Sequence, residues 1–244
     1  MISTMSSTNR ICVIIPAYFE EKRVGEVIKG VHQHCPDVLV VDDGSTDRTS
    51  EVARAAGAAV IRLEVNQGKG AALNAGFSYA RANHFDAVVT MDADGQHDPA
   101  DLPAFLDAYQ REKIPVLIGN RMAQCGGMPL VRRMTNRFMS WLLSREMGQR
   151  VPDSQSGYRL YQCAVLPSVP VDAPRYAAES EILLDLAWRG VRMGAVPIRV
   201  IYRDEKSKIR PVRDSIRFFS MLHRWRRKKR CGGAKSLSEN PLGS

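Results

Sequence analysis

Asp92-Ala93-Asp94 sets two carboxylates one residue apart, and Gln96 follows two residues later. That spacing suits a hard cation such as Mg²⁺ or Mn²⁺, held by one or two carboxylates, an amide oxygen and the phosphate oxygens of a substrate. The same acids would also serve as plain turn residues ahead of Asp98-Pro99, where Asp is a good helix cap and Pro a good first residue. A second pair, Asp42-Asp43, opens an acidic and hydroxyl-rich run through Asp47. Adjacent carboxylates suit a nucleoside, whose base N–H groups and ribose hydroxyls donate hydrogen bonds. The simpler reading makes Ser45 or Thr46 a helix cap and Gly44 a turn. No GxGxxG is present, which disfavours a dinucleotide site. Gly68-Lys69-Gly70 lacks the full spacing of a Walker loop and reads as the start of a helix, not an ATP site.

The elements that carry these residues decide between the readings. Ile11–Pro16, Val38–Val41, Ala59–Leu63, Ala87–Met91 and Val116–Gly119 are short apolar runs, read as strands. Arg23–His34, Thr46–Ala56, Ala71–Ala82 and the segment from Pro99 read as the helices between them. This alternation predicts a parallel, helix-flanked sheet, in which ligands sit beyond the carboxyl ends of the strands. A polar cluster follows each strand: Glu20-Glu21, Asp42-Asp43, Asn66 with Lys69, Asp92 with Asp94, and Asn120-Arg121. Five clusters on one edge favour a metal site over turn chemistry. Beyond residue 122 the reading is a Gly-containing loop, a helix over Met134–Met147, a polar loop over Val151–Gly157 and a strand over Tyr158–Cys163. A helix over Ala178–Trp188, a strand over Val191–Tyr202 and an amphipathic helix over Pro211–Trp225 complete it. The expected organisation is a disordered 1–10, one α/β domain over 11–225, and a basic, disordered tail over 226–244.

Charge is unevenly placed. The chain has 244 residues, 35 Lys or Arg, 26 Asp or Glu and a net charge of +9. From Arg203 onward there are thirteen basic and four acidic residues, so the preceding body is neutral. A neutral body argues against a nucleic-acid coat, and the basic end points to an anionic surface, phosphates or an acidic partner. No apolar run approaches the ~18–20 residues of a membrane span, and residues 1–10 lack the apolar core of a signal peptide. The five scattered cysteines form no CxxC pair, which predicts neither a disulfide framework nor a zinc cluster and suits a reducing cytoplasm.

Several motifs, in order, resemble those of family 2 glycosyltransferases. They are Pro16-Ala17-Tyr18-Phe19-Glu20, Asp42-Asp43-Gly44-Ser45, Gly68-Lys69-Gly70, Asp92-Ala93-Asp94-Gly95-Gln96-His97, Asp153-Ser154-Gln155-Ser156-Gly157-Tyr158-Arg159 and Ser207-Lys208. The chain is similar to the branch that makes polyprenyl-phosphate sugars, dolichyl-phosphate mannose synthases included. The resemblance implies a GT-A fold: a Rossmann-like, mixed and mostly parallel sheet flanked by helices, here with a C-terminal amphipathic helix. It also implies a nucleotide-sugar donor and inversion at the sugar carbon. By that analogy Pro16, Tyr18, Glu20, Val41 and Asp43 line the nucleoside pocket, and Ala93 joins the donor contacts. Asp92, Asp94 and Gln96 hold Mg²⁺ or Mn²⁺, and Arg121, Arg203 and Lys208 hold phosphates. Phe19 stands where the family usually has Asn, and Glu205-Lys206 where a Gly often precedes Ser-Lys.

The acceptor sets the need for a base. A hydroxyl must lose a proton during attack, which makes Asp153 the candidate base, whereas a phosphate is already anionic. With a polyprenyl phosphate, Asp153 instead orients Arg159 or the sugar, Arg121 with Arg132 and Arg133 supplies positive charge, and Ser156 donates a hydrogen bond. Asp153 reads equally as a loop-capping residue, and Arg132 and Arg133 read more simply as solvated helix charges. Glu179 is a sugar contact or a residue favoured by the helix dipole. The apolar stripes of Met134–Met147 and Ser215–Trp225, the second running into Arg226–Arg230, predict peripheral attachment to an anionic membrane on its cytoplasmic face, although such stripes also form cores. A non-enzymatic module binding an acidic partner through Arg224–Arg230 ranks last, because it leaves the aligned carboxylates without a role.

Overall fold

Ile11–Ala17 (β1) has apolar residues on both of its faces, and nearly all are buried. Such a strand must lie in the middle of a sheet covered on both sides. It pairs in parallel with Val38–Asp42 (β2) on one side and Ala87–Thr90 (β4) on the other. The computed structural model describes residues 9–123, 128–166, 177–199, 201 and 218–227. The chain divides into two units between Glu205 and Lys206. Within the second unit, residues 218–227 are helical.

The first unit holds a seven-stranded sheet in the order β3-β2-β1-β4-β6-β5-β7. Its remaining strands are Ala59–Arg62 (β3), Val116–Asn120 (β5), Arg159–Gln162 (β6) and Met193–Pro197 (β7). The helices are Val24–His32 (α1), Thr49–Ala55 (α2), Lys69–Ala82 (α3), Leu102–Glu112 (α4), Leu130–Met147 (α5) and Ala177–Trp188 (α6). Alternate residues of the strands enter two cores. Val13, Ile15, Val40 and Val89 meet Val27, Ile28, Leu102 and Phe105 of α1 and α4. Ile14, Leu39, Val41 and Val88 meet Leu73, Phe77, Ile182 and Leu186 of α3 and α6. The connection from β1 leads away to β2, and the chain returns past it to β4. The carboxyl ends of β1 and β4 therefore flank the point where the winding reverses, which is where an open α/β sheet leaves its crevice.

The strands and helices expected in the first unit are present, with shifted bounds and one change of direction. Residues 211–217 of the helix expected over Pro211–Trp225 lie outside the described residues, as do 1–8 and 228–244 of the ends expected to be disordered. β6 lies antiparallel between β4 and β5, so the sheet is mixed rather than parallel throughout. The helix expected from Thr46 begins at Thr49, because Ser45 donates its N–H to Asp42 Oδ1 and Asp47 Oδ1 accepts the Thr49 N–H, which keeps residues 44–48 in turns. Asp98 caps a short 3-10 turn through Ala100 N–H at 2.9 Å, and α4 follows from Leu102. The strand expected over Val191–Tyr202 is ordered as strand only at Met193–Pro197, and α5 starts four residues before the expected Met134.

Candidate active site

The carboxyl end of β1 is fastened to that of β2. Ala17 accepts the Asp43 N–H at 2.9 Å, Phe19 donates its N–H to Ser45 Oγ at 3.0 Å, and Glu20 donates its N–H to Thr49 Oγ1 at 2.9 Å. These bonds hold Tyr18 and Phe19 at the mouth of the crevice, both exposed, with ring centroids 4.5 Å apart edge to face. Glu20 is buried beside Arg23, 3.3 Å away. Asp43 is buried and its carboxylate accepts the N–H groups of Gln67 at 2.8 Å and Gly68 at 2.7 Å and the Asn66 amide at 3.0 Å. It thereby fixes the loop that leads into α3, and about one acceptor position of the four on a carboxylate is left for a ligand. Asp42 is fully buried between Ser45 N–H and Ser50 Oγ, so it holds the loop rather than a nucleoside. Pro16 is half-buried. The side chains of Val41 and Ala93 lie in the two cores, so what they can offer a donor is main chain.

Beyond β4, Asp92 meets Lys69 from the first turn of α3, and Lys69 Nζ lies 2.9 Å from Glu179 Oε1 on α6. Burial alone would raise the Asp92 pKa, but the Lys69 ammonium outweighs it and holds the carboxylate ionised. Lys69 is likewise kept charged by Asp92 and Glu179 against its burial. Burial pushes His97 down to about 4, so its neutral ring accepts the Asp92 N–H at Nδ1, 3.3 Å away. Asp94 is shifted the other way, upward, by burial and by the negative charges of Asp92 and Glu20. Its Oδ1 accepts the Gln96 N–H at 3.0 Å, and the Gln96 carbonyl accepts the Ile201 N–H at 3.0 Å. Gly157 packs against this group so closely that a Cβ there would stand 2.7 Å from Asp92 Oδ2 and 2.9 Å from Lys69 Nζ.

This donor set fits a divalent cation of the Mg²⁺ or Mn²⁺ type. Asp92, Asp94 and Glu20 concentrate like charge in a site walled by a glycine, and the strain on Asp94 is what a cation would relieve. Among the described residues no three His, Cys, Asp or Glu side chains gather into a cage. Such an ion would therefore complete its shell with substrate oxygens.

The third group comes from the loop before β6. Asp153 is fully buried, and Arg121 grips it with Nε at 2.7 Å from Oδ2, Nη2 at 2.9 Å from Oδ1 and its main-chain N–H at 3.1 Å from Oδ2. Both carboxylate oxygens are thus engaged, and the pair puts a guanidinium rather than an available base beside the site. Ser156 Oγ is buried and has no hydrogen-bond partner among the described residues. Arg159 is also fully buried; it donates to the carbonyls of Ser156, Glu179 and Ser154 at 2.7 Å each and to Tyr161 Oη at 3.1 Å. It organises the loop itself and is not the partner of Asp153 anticipated from the sequence. Arg203 and Lys208 lie outside the described residues, as do 202–210 as a whole; Ile201, hydrogen-bonded to Gln96, is the last described residue before them.

The sequence reading missed the Lys69–Asp92–Glu179 ion triad and the Ser45 and Thr49 anchors. The residue types were visible, but Lys69 and Glu179 meet only when α3 and α6 pack on one face of the sheet.

The profile of the family described as Glycosyl transferase family 2 matches residues 12–169. The UDP-N-acetylglucosamine–dolichyl-phosphate N-acetylglucosaminyltransferase of Methanococcus voltae is 31% identical, over 80% of this chain and 86% of its own. The polyprenol monophosphomannose synthase of Mycolicibacterium smegmatis is 32% identical, over 81% of this chain and 78% of its own. The crystal structure of glucosyl-3-phosphoglycerate synthase from Mycobacterium tuberculosis in complex with Mg²⁺ and uridine-diphosphate superposes with a TM-score of 0.68 at 25% identity, covering 89% of this chain and 79% of that one. The sheet order, the carboxylates at its edge and these likenesses agree: the chain has a GT-A fold, belongs to glycosyl transferase family 2 and is a glycosyltransferase.

Proposed function

We propose that this protein moves a hexose from a nucleotide sugar, GDP-mannose or a UDP-hexose, to a polyprenyl phosphate at the cytoplasmic face of a membrane, in a reaction that depends on Mg²⁺ or Mn²⁺. The observation that carries the acceptor reading is the Arg121–Asp153 pair. The carboxylate best placed to serve as a base is fully buried and bound at both oxygens, while Ser156 Oγ in the same loop is a buried donor with no partner among the described residues. A hydroxyl acceptor would need a base; a phosphate needs cations and donors.

Asp92 and Asp94, with the side-chain amide of Gln96, would hold the ion, which when bound supplies positive charge to the departing diphosphate. Lys69 keeps Asp92 ionised and fixed from α3. Tyr18, Glu20 and the remaining capacity of Asp43 bind the nucleoside, with Pro16 and the main chain at Val41 and Ala93 beside it. Arg121 stands with its charge toward the phosphates, oriented by Asp153, and Ser156 donates to the acceptor. Arg203 and Lys208 are proposed to hold the diphosphate. The test is a transfer screen of GDP-mannose, UDP-glucose and UDP-N-acetylglucosamine with Mn²⁺, with and without a short polyprenyl phosphate. The expected result is sugar transfer that requires the lipid phosphate; equal transfer to a glycan or small-molecule hydroxyl without it would overturn the acceptor assignment.

The membrane part rests on α5. Leu130, Val131, Met134, Phe138 and Trp141 are all more than half exposed, on a helix with Arg132, Arg133, Arg137 and Arg145 against a single Glu146. No helix among the described residues is long and apolar enough to cross a membrane. An exposed apolar stripe with basic neighbours suits the interface of an anionic bilayer, where each basic residue contributes about 1 kcal/mol. The basic residues of 226–244 would add to this. Flotation with phosphatidylglycerol-containing liposomes is expected to carry the protein upward, and Phe138→Ser with Trp141→Ser to reduce the floated fraction by about tenfold. Undiminished flotation of that double variant would remove α5 from the contact.

A further inference from the structure

Phe19 is the described residue whose backbone conformation its own type explains least. Its φ is +55°, in the left-handed region, which is unfavourable for an ordinary L-residue and which Gly and Asn adopt more readily. His84 and Lys113 also have positive φ, but each follows the last turn of a helix, α3 or α4, where the left-handed residue closes the turn. Phe19 follows a strand. Its ring does not repay the strain by packing, because 46% of the residue is exposed and the neighbouring Tyr18 is 43% exposed. The bend is nonetheless rigid, held by Ser45 Oγ on the Phe19 N–H and Thr49 Oγ1 on the Glu20 N–H. A strained residue fixed on both sides and presenting an aromatic face at a crevice belongs to ligand recognition rather than to stability.

We infer that Phe19, braced edge to face against Tyr18, is the ring on which the base of the donor nucleotide packs in this chain. The inference rests on the nucleotide-sugar reading above. An aromatic face accepts any base, so the contact sets affinity and the angle of the base, while the groups of Asp43 and Glu20 read its edge. Phe19 is thus a positioning residue, and its loss would act on donor binding.

The experiment is calorimetric titration of UDP and of GDP, each with Mn²⁺, into the full chain and into Phe19→Asn and Phe19→Tyr, with thermal melts of all three. Phe19→Asn removes the ring and relaxes the bend, so its Tm is expected to rise by about 2–4 °C while the preferred nucleotide binds about five- to tenfold more weakly. Phe19→Tyr keeps ring and strain, so both values are expected to stay at those of the parent. Parent-like nucleotide affinity in Phe19→Asn overturns the role of Phe19 and leaves the donor reading intact. No binding of either nucleotide to the parent chain overturns the donor reading and this inference with it.

Discussion

Asp94→Ala is expected to lower sugar transfer by about a thousandfold while leaving the melting temperature nearly unchanged. The two halves of that expectation have separate causes. On the proposed reading the Asp94 carboxylate binds the cation, and alanine offers no replacement oxygen. For the fold, it makes one short-range bond, to the Gln96 N–H, and stands among the negative charges of Asp92 and Glu20. Removing it relieves repulsion about as much as it loosens the turn. Transfer assays with the donor found in the screen, with Mn²⁺ and with excess chelator, check the first half, and thermal melts the second. Parent-like turnover in Asp94→Ala or in chelator would remove the metal from the mechanism. The raised pKa of Asp94 gives the sign of the pH dependence: a proton competes with the cation at a higher pH than for an ordinary Asp, so Mn²⁺ affinity measured by titration falls sooner on acidification.

Arg159→Met is expected to have the opposite profile, a large loss of stability whatever the substrate. The methionine fills much of the volume but leaves the carbonyls of Ser154, Ser156 and Glu179 buried without donors, together with Tyr161 Oη. Orphaned buried acceptors on this scale cost about 3–5 kcal/mol, which lowers Tm by about 10 °C in a chain of this length. Arg159→Lys should recover only part of it, since one ammonium cannot reach three carbonyls set around a planar fork. Urea unfolding of both variants decides the matter. A Met variant as stable as the parent would mean that the loop before β6 holds its shape without the guanidinium. Because Arg159 also grips the main chain of Glu179, and Glu179 grips Lys69, the loss should reach Asp92 as well.

These two sites differ in how far they could be read from the sequence. Asp92, Asp94 and the other acids at strand ends stand out because buried parallel strands are short apolar runs whose ends are easy to see. The fold class follows from the alternation of such runs with helices. Arg159 was visible as part of a motif, but the direction of β6 was not: four residues, Arg-Leu-Tyr-Gln, give no periodicity that separates antiparallel from parallel pairing. Asp153 looked like a base because its type allows it; only the fold shows Arg121, 32 positions away, taking both oxygens. The left-handed bend at Phe19 was hidden as well, since nothing in a Phe signals positive φ and the bonds that hold it come from Ser45, in the loop after β2, and Thr49, at the start of α2.

The place of β6 between β4 and β5 bears on how the chain reaches its native state. β1 to β4 are contiguous in sequence and pair among themselves, so the nucleoside end of the crevice can form from the first ninety residues. β5 is complete by Asn120, yet it pairs only with β6, near residue 160, and with β7, near residue 195. During synthesis it must wait for about forty further residues before its edge is covered, an interval in which Val116, Leu117 and Ile118 are open to wrong pairing. The strand that joins β4 to β5, β6, also carries Arg159 and follows the loop bearing Asp153 and Ser156. This long-range pairing and the arrival of Arg159 and of the loop bearing Asp153 and Ser156 are therefore one event, and on the proposed reading a chain stalled before it lacks the groups offered to the acceptor.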